Sequence, residues 1–302
     1  MKKRKNEDMK NKAENKQRMH LKRRSPNRSR GGDLGIYMIL IFFGLFMIFP
    51  LVYAISSAFK PLDEIFVYPP KLFVRNPTLD NFQDLFMIMG KSWVPFSRYL
   101  FNTVFITTAG TAGHLLVASM GAYVLAKYQF PGSRLFFNIV VTALMFNGYV
   151  TAIPNYLLMS KIGWVDTMWA VIVPAFASPM GLFLMKQFME GIPMALIEAA
   201  KIDGAKESRI FFTIVMPMVK PAWLTLIIFS VQNLWNSKAS NFIYSEELKT
   251  LPYALQQIVS GGVARAGVGA AVTLVMMVVP VTIFILSESN IIETMASSGI
   301  KE

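Results

Sequence analysis

The sequence predicts an all-α membrane protein with six transmembrane helices and with both termini in the cytoplasm. Of its 302 residues, 54% are hydrophobic and only 16% are charged, which is more apolar than a soluble domain of this length normally is. Long apolar runs recur along the chain, and basic residues collect at the N-terminus and between alternate runs. Both patterns are typical of a multi-pass membrane protein.

Six apolar stretches approach or exceed the length of about 20 helical residues that a bilayer core requires. By residue number they are 35–59, 100–126, 135–159, 168–185, 211–234 and 267–286. The fifth has a basic residue well inside it, Lys220. If this helix enters the membrane from the cytoplasm near Pro217, the lysine side chain can extend to the membrane–water interface. The part of the span inside the hydrocarbon core then lies mostly after Pro221.

The distribution of Lys and Arg predicts which side each loop occupies. Residues 1–32 contain 13 basic and three acidic residues, a local charge of +10 (13 minus 3). Loops 127–134 and 186–209 contain two and four basic residues, and six alternating spans place both loops on the side of the N-terminus. We therefore expect that side to be cytoplasmic. The opposite side then holds 60–98, 160–167 and 235–266.

The chain divides by composition into a basic tail, 1–33, and a transmembrane domain, 34–302. The tail is too polar and too charged to build a core, so we expect it to be disordered in the cytoplasm. It has no aromatic residue on which bases could stack, so we expect it to lie near anionic membrane lipid and not to bind nucleic acid.

Catalysis by this chain is not expected. There is no cysteine, the two histidines cannot make a zinc site alone, and no phosphate-binding GxxxxGK[ST] motif is present. We expect neither a bound metal nor a bound cofactor. The alternative of an integral-membrane enzyme would need clustered carboxylates or histidines at the span ends.

A short polar segment between the fourth and fifth apolar stretches has a distinctive spacing. Glu198-Ala199-Ala200 is followed after three residues by Gly204, and after nine more by Ile214-Val215-Met216-Pro217. This spacing resembles the EAA loop of ABC importer permeases, with Met216 where that family usually has Leu. The neighbouring residues that match its carbohydrate-importer version are Asp203, Ala205 and Pro221.

Other segments resemble the maltose-type sugar permeases over about residues 34–302. Pro77-Thr78-Leu79-Asp80-Asn81-Phe82 is similar to their TLxNY region, and Arg98-Tyr99-Leu100-Phe101-Asn102-Thr103 is similar to the RxxxNS motif before their second span. Thr250-Leu251-Pro252 also matches, and 298–302 resembles a degraded GAVKG tail.

The resemblance implies the type I ABC importer permease architecture and a role in sugar import, with an oligosaccharide as the favoured cargo. It implies four kinds of partner: a homologous second permease, two ABC ATPase subunits that hydrolyse ATP with Mg²⁺, an extracytoplasmic sugar-binding protein, and membrane lipid. The EAA loop, at about 191–217, would couple to the ATPase through Glu198, Ala199, Ala200, Asp203, Gly204, Ala205 and Pro217. An ABC permease for a non-sugar solute is the nearest alternative.

Local signals predict the shape of the EAA loop. Gly191 and Pro193 precede a run with good helix propensity, and Asp203-Gly204 is a stop signal because glycine readily adopts the left-handed conformation. We expect a short helix, a tight turn, and a second helix from about Ala205 into the fifth span.

Polar residues inside the spans are candidates for contact with the cargo. Asn147, Tyr149, Thr151 and Asn155 could line a path in the third span, or could make hydrogen bonds between helices. His114 is better explained as a packed, neutral side chain than as a proton relay, and the glycines of the second span would allow close helix packing.

The segment 235–266 has two possible roles. Its length, if extended, would allow it to reach into a binding protein, but it could equally be a passive lid. We expect its two acidic residues, Glu246 and Glu247, to be solvated.

We predict that residues 1–30 are dispensable for transport, because their composition cannot bury a core. A deletion that keeps a few Lys or Arg before Gly35 should insert in the membrane normally and retain uptake. Correct insertion combined with complete loss of uptake would reveal a role for the tail that its composition does not indicate.

Overall fold

The computed structural model describes residues 30–146 and 148–298, and these residues form helices and connecting turns without a β-strand. The α-helices, α1 to α14 in chain order, are Arg30–Ala58, Leu62–Ile65, Asp80–Gly90, Phe96–Lys127, Ser133–Ala143, Gly148–Ile162, Trp169–Phe176, Pro179–Glu190, Met194–Ile202, Glu207–Ile210, Met216–Met218, Lys220–Trp235, Leu251–Val259 and Ala266–Ser298. A π-helical turn, Phe211–Val215, joins α10 to α11, and short 3-10 turns occur at Glu246–Leu248 and Val263–Arg265. The predicted all-α fold class is confirmed.

The chain divides into two compact units, 1–53 and 54–302. In the first unit, the described residues belong to α1, and large apolar side chains from Leu34 to Leu51 are exposed on every side of it. A helix that is apolar all round needs an apolar environment, which a lipid bilayer supplies. Most of the predicted tail lies outside the described residues.

Within residues 30–146 and 148–298, four helical segments are long and apolar enough to cross a membrane, and a bent helix pair would make a fifth. The four are Gly32–Ala58, Phe96–Lys127, Trp169–Glu190 and Ala266–Glu288. They correspond to the first, second, fourth and sixth predicted spans. The third predicted span is interrupted between α5 and α6, which are 11 and 15 residues long. The count of six spans, and the side on which the termini lie, stay predictions.

The fifth predicted span, 211–234, is wrong as a continuous helix. The segment Glu207–Met218 meets α12 at an angle of 82°. Val219 lies at this corner with φ −102° and ψ 27°. Pro217 and Pro221 flank it and cannot donate backbone hydrogen bonds, so the helical ladder is interrupted where the chain turns.

A second break divides the fourth span between α7 and α8. Ser178 is extended, with φ −63° and ψ 120°, and Pro179 begins α8. The residue before a proline is pushed out of the helical region, and proline is well suited to a first helical turn. The local sequence therefore explains both the stop and the restart.

The 32-residue helix α4 is the centre of the second unit. It packs along α7, α8 and α12, and its glycines allow close approach. A Cβ atom at Gly113 would lie 2.0–2.5 Å from the ring of Phe176, and one at Gly110 would lie 2.6 Å from Leu234 Cδ1. Close packing through small residues is the main source of helix association where lipid replaces water. The predicted role of these glycines is confirmed.

The loops predicted on opposite sides of the membrane lie at opposite ends of α4. The apolar cluster near its C-terminal end joins Ala122 to Met189 and Ile197. The cluster near its N-terminal end joins Tyr99 to Leu255, in α13, and to residues of α3 and α14.

Asn81, from the TLxNY-like motif, secures the chain where it leaves α1. Its Nδ2 donates to the carbonyl oxygens of Ala58 at 2.9 Å and Lys60 at 2.7 Å, and the residue is only 6% exposed. A Cβ atom at Gly267 would lie 2.1 Å from Asn81 Oδ1, so glycine allows α14 to pass closely here.

We predict that Gly113→Ala destabilises the protein, because the new methyl group overlaps the Phe176 ring. Overpacking of this kind costs roughly 1–3 kcal/mol, which should appear as a lower melting temperature in detergent. Gly90→Ala is the matched control, since a Cβ at this helical glycine meets nothing within 4 Å. Equal melting temperatures for the two variants would contradict the prediction.

Candidate functional site: the polar turn between α8 and α12

The segment with the EAA spacing folds into the predicted short helix and turn. Helix α9 begins at Met194 after Pro193 and ends at Ile202. Gly204 has φ +78°, and its amide donates to Lys201, while the amide of Ala205 donates to the Ala200 carbonyl at 3.0 Å. This pair of bonds is a Schellman motif, in which glycine at the left-handed position ends the helix without steric strain.

One side chain anchors α9 to the core. Ile197 is fully buried, in an apolar cluster that includes Met189 from α8, Ile210 from α10 and Val215 from the π-helical turn. Complete burial of a side chain of this size contributes about 1.5–3 kcal/mol where it is removed from water. The helix is therefore held on elements that precede and follow it in the chain.

The opposite face of α9 and the turn is exposed. Glu198 and Ala199 are exposed, and Ile202 is 86% exposed although it is apolar. Asp203 and Gly204 are exposed in the turn, while Ala200 and Ala205 are half-buried and Pro217 is exposed just before the 82° corner. Six of the seven predicted coupling residues thus lie on or beside one turn. The seventh, Pro217, lies further along the chain in α11.

An ion pair crosses this turn and attaches it to the C-terminal end of α4. Lys201 Nζ lies 2.7 Å from Glu207 Oε1 and also donates to the Tyr128 hydroxyl at 3.1 Å. The Tyr123 hydroxyl donates to Glu207 Oε2 at 3.1 Å. The hydrogen bond with Glu207, followed by that with Tyr128, raises the pKa of Lys201. These two tyrosines were missed at the sequence level, because nothing in the local pattern links them to the turn.

At the other end of α4, the RxxxN-like and Thr-Leu-Pro motifs meet. Asn102 Nδ2 donates to the carbonyl oxygens of Glu247 at 2.8 Å and Lys249 at 2.9 Å. The amide of Leu251 donates to Thr103 Oγ1 at 2.8 Å. Two motifs that lie about 150 residues apart in the chain therefore form one contact.

Glu246 is only partly exposed and is paired, so the prediction of a solvated side chain holds for it only in part. Its Oε1 accepts from the Tyr99 hydroxyl at 2.8 Å, and its Oε2 lies 2.6 Å from Lys249 Nζ. Partial burial opposes ionisation, but the hydrogen bonds from Lys249 and Tyr99 outweigh it and lower the pKa of Glu246. Glu247 is exposed, as expected.

The segment 235–266 is folded, so an extended reach over its whole length is wrong. Leu251 and Leu255 of α13 are each 1% exposed and pack against α4 and α14. The tip of the segment, 260–262, is exposed, and Gly262 has φ +87°.

Asp166 joins the loop before α7 to this segment. Its Oδ1 accepts from the amides of Tyr244 at 2.9 Å and Ser245 at 2.8 Å, and Oδ2 accepts from the Ser245 hydroxyl. The hydroxyl bond, followed by the two amide bonds, lowers the pKa of Asp166. Asp166 has φ +64°, a conformation that aspartate tolerates better than most residues.

A small cavity of about 250 Å³, lined mostly by apolar residues, lies beside the α7–α8 break. Its polar lining comes from His114, Ser178, Ser230 and Asn233. His114 Nδ1 lies 2.5 Å from Ser230 Oγ, and the histidine is 6% exposed, which agrees with a packed side chain. Sequence reasoning missed the two serines and Asn233, because the break that exposes this surface was not foreseen.

Two of the residues proposed to line a path in the third span, Thr151 and Asn155, are not part of the lining of this cavity. Thr151 donates to the Gly148 carbonyl at 3.1 Å, and Asn155 is exposed on α6. Asn147 and the Tyr149 side chain lie outside the part of the chain that the structure describes. Within the described residues, no group of three or more His, Cys, Asp or Glu side chains could hold a metal ion.

Comparison with known proteins identifies the family. Residues 115–293 match the family described as "Binding-protein-dependent transport system inner membrane component". The chain belongs to this family. It is therefore a multi-pass inner-membrane permease of an ABC transport system and not an enzyme.

Curated relatives in this permease family cover most of the chain. The arabinooligosaccharides transport system permease protein AraQ of Halalkalibacterium halodurans is 32% identical over 86% of this chain and 93% of its own length. The polygalacturonan/rhamnogalacturonan permease YtcP of Bacillus subtilis is 32% identical over 77% and 79%. The galactooligosaccharides permease GanQ of Bacillus subtilis is 27% identical over 88% and 94%.

A solved structure supports the fold of this permease. One chain of a bacterial ABC transporter involved in the import of the acidic polysaccharide alginate superposes with a TM-score of 0.71. The two chains are 23% identical, and the match covers 88% of this chain and 99% of the other. The fold is therefore that of an ABC importer permease.

We predict that Asp166→Asn lowers the stability of the permease at pH 7 by about 1 kcal/mol, because a partly exposed carboxylate loses charge-assisted hydrogen bonds. The folded pKa is below the ordinary value of about 3.9, so the wild-type advantage is complete above that value and is lost as the pH falls through the folded pKa. Thermal melts should show a constant difference from pH 5 to 8 that shrinks below about pH 4.

Asp84→Asn, on the exposed face of α3, is the control for the loss of a negative charge. A similar melting temperature for both variants at pH 7 would contradict the assignment to the Asp166 hydrogen bonds.

Proposed function

We propose that this permease is the transmembrane subunit of an ATP-driven sugar importer, with oligosaccharides as its cargo class. It forms half of the translocation path beside a homologous second permease. Two ABC ATPase subunits hydrolyse ATP with Mg²⁺ and bind the EAA loop, and an extracytoplasmic sugar-binding protein delivers the cargo. This chain itself binds no cofactor. The domain division, a disordered tail at 1–33 and a permease domain at 34–302, is part of the same proposal.

The proposal that the cargo is an oligosaccharide rests on the curated relatives, which are named for oligosaccharide or polysaccharide transport. Three of them align with most of this chain at 27–32% identity. The sugar-permease motifs also have structural tasks here: Asn81 secures the end of α1, and Asn102 with Thr103 fixes the segment before α13.

The exposed turn supports a docking role. Ile202 presents an apolar side chain that is 86% exposed, beside the small residue Ala199 and the carboxylates of Glu198 and Asp203. Small residues allow a partner to approach closely, and burial of an exposed isoleucine against a partner stabilises the complex. Because Ile197 fixes the other face in the core, force applied to α9 moves the elements packed around it.

Two sets of polar groups are candidates for the cargo path. One is the cavity lined by His114, Ser178, Ser230 and Asn233. The other is the α6 set, Asn147, Tyr149, Thr151 and Asn155. Uptake measurements with alanine variants of Asn233 and Asn155 would separate them, because only a path residue should change the preference among sugars.

The test of the function is co-purification followed by transport. A tagged permease should co-purify with a second permease and an ATPase, and the reconstituted complex should import oligosaccharides when ATP and a loaded binding protein are present. Purification without an ATPase would overturn the proposal. Import of a non-sugar solute, with no uptake from a panel of arabino-, galacto- and galacturono-oligosaccharides, would change the cargo class and keep the importer.

We predict that Gly204→Pro abolishes coupled uptake while the protein still inserts in the membrane. Proline cannot adopt φ +78° and cannot donate the amide bond to Lys201, so the turn after α9 must change shape. Uptake should fall more than tenfold in vesicles.

Gly163→Pro is the matched control, since this glycine also has φ +77°, donates a backbone bond, and would place a Cβ in open space, but lies away from α9. Normal uptake by Gly204→Pro, or equal losses in both variants at equal protein levels, would count against the docking assignment.

A further inference from the structure

Helix α4 differs from every other described segment long enough to span the membrane. Its 32 residues, Phe96–Lys127, contain no proline and no break. Pro50 lies inside α1 and Pro280 lies inside α14, while the other two spans are divided at Ser178 and Val219. An unbroken helix of this length spans about 48 Å and is stiff along its axis, whereas prolines and breaks are where helices bend.

Both ends of α4 are tied by side chains to segments on opposite sides of the protein. At the C-terminal end, Tyr123 and Tyr128 bind the Lys201–Glu207 pair. This pair crosses the turn at residues 203–205, which is called the coupling turn below because of its proposed role. The turn is thus attached to α4 although 70 or more residues separate them in the chain. The tyrosine rings pack edge to face, with centroids 5.7 Å apart, which restricts the orientation of both rings.

At the N-terminal end, Asn102 and Thr103 bind the backbone of 247–251. Asn102 is fully buried and donates to two carbonyl oxygens, and Thr103, 1% exposed, accepts the Leu251 amide. The positions of Asn102 and Tyr123 differ by 21 residues, which corresponds to about 32 Å along the helix.

We propose that α4 is the rigid connection between the coupling turn and the segment 246–251 on the opposite side. Movement of the turn, when the ATPase subunits change state, shifts α4 through the Lys201–Glu207 pair and its two tyrosines. Asn102 and Thr103 then carry this shift to 246–251, on the side where the binding protein docks. The four residues at the turn and the two at the far end are positioning residues. The proposal rests on the proposed function.

The test uses the complete reconstituted complex with its binding protein. Three quantities are measured: basal ATP hydrolysis, hydrolysis stimulated by the sugar-loaded binding protein, and sugar imported per ATP. Glu207→Gln removes the ion pair at one end, and Thr103→Val removes the acceptor for Leu251 at the other. Glu190→Gln is the matched control, because it removes a Lys–Glu pair with Lys186 at the same end of the protein but leaves Tyr123 and Tyr128 in place.

Each of the two variants should lower the stimulated rate at least about fivefold, the lower limit of typical coupling between sites, and Thr103→Val should leave the basal rate within about twofold. The stimulated rate of the double variant should be no lower than that of the more impaired single variant. A connection that is already cut at one end loses nothing more when it is cut at the other. Glu190→Gln should behave as the wild type. The exchanged pair Lys201→Glu with Glu207→Lys should recover stimulation, because it forms the ion pair again with the charges reversed.

Three results would overturn the connection: wild-type stimulation in both single variants, additive losses in the double variant, or no recovery by the exchanged pair. A second measurement is hydrogen exchange at the Leu251 amide with and without trapped ATP. The exchange rate should respond to ATP in the wild type and not in Glu207→Gln. A wild-type complex that assembles with no ATPase would instead refute the proposed function, and the connection with it.

Discussion

The close contact of α4 with α7, α8 and α12 is the constraint on which the rest of this permease depends. In a bilayer, burying an apolar side chain against another helix gains little over leaving it in lipid, so the helices associate through packing and through polar bonds. Gly110 and Gly113 bring the backbones near enough for both. With α4 in place, its two ends can receive the coupling turn and the segment before α13.

The structure divides its polar contacts between the two ends of the same helix. The end near α9 uses a charged pair with tyrosine hydroxyls, which water can reach. The other end uses a buried amide and a buried hydroxyl that bind backbone atoms. Backbone contacts of this kind fix a segment whatever side chains it carries, and so the neighbouring exposed surface is free to vary with the partner it meets.

Much of the segment with the EAA spacing is predictable from sequence because its signals are local. Pro193 and Gly204 act on the residues beside them, and the observed bounds of α9 follow directly. The breaks at Ser178 and Val219 are harder to predict, since the apolar runs continue across them and length alone suggests straight spans. The contact between Asn102 and Lys249 is harder still: each motif is visible in the sequence, but their meeting is a property of the fold. Tyr123 and Tyr128 look like ordinary aromatic residues of a membrane helix until the turn is placed beside them.

The exposed isoleucine at the end of α9 has a consequence for biogenesis. The Schellman turn after α9 holds Ile202 outward, and 86% of this residue is exposed. Under the proposed function the docked ATPase covers Ile202, so the unassembled permease is the form in which this apolar side chain is open to aggregation and to proteases that recognise exposed apolar residues.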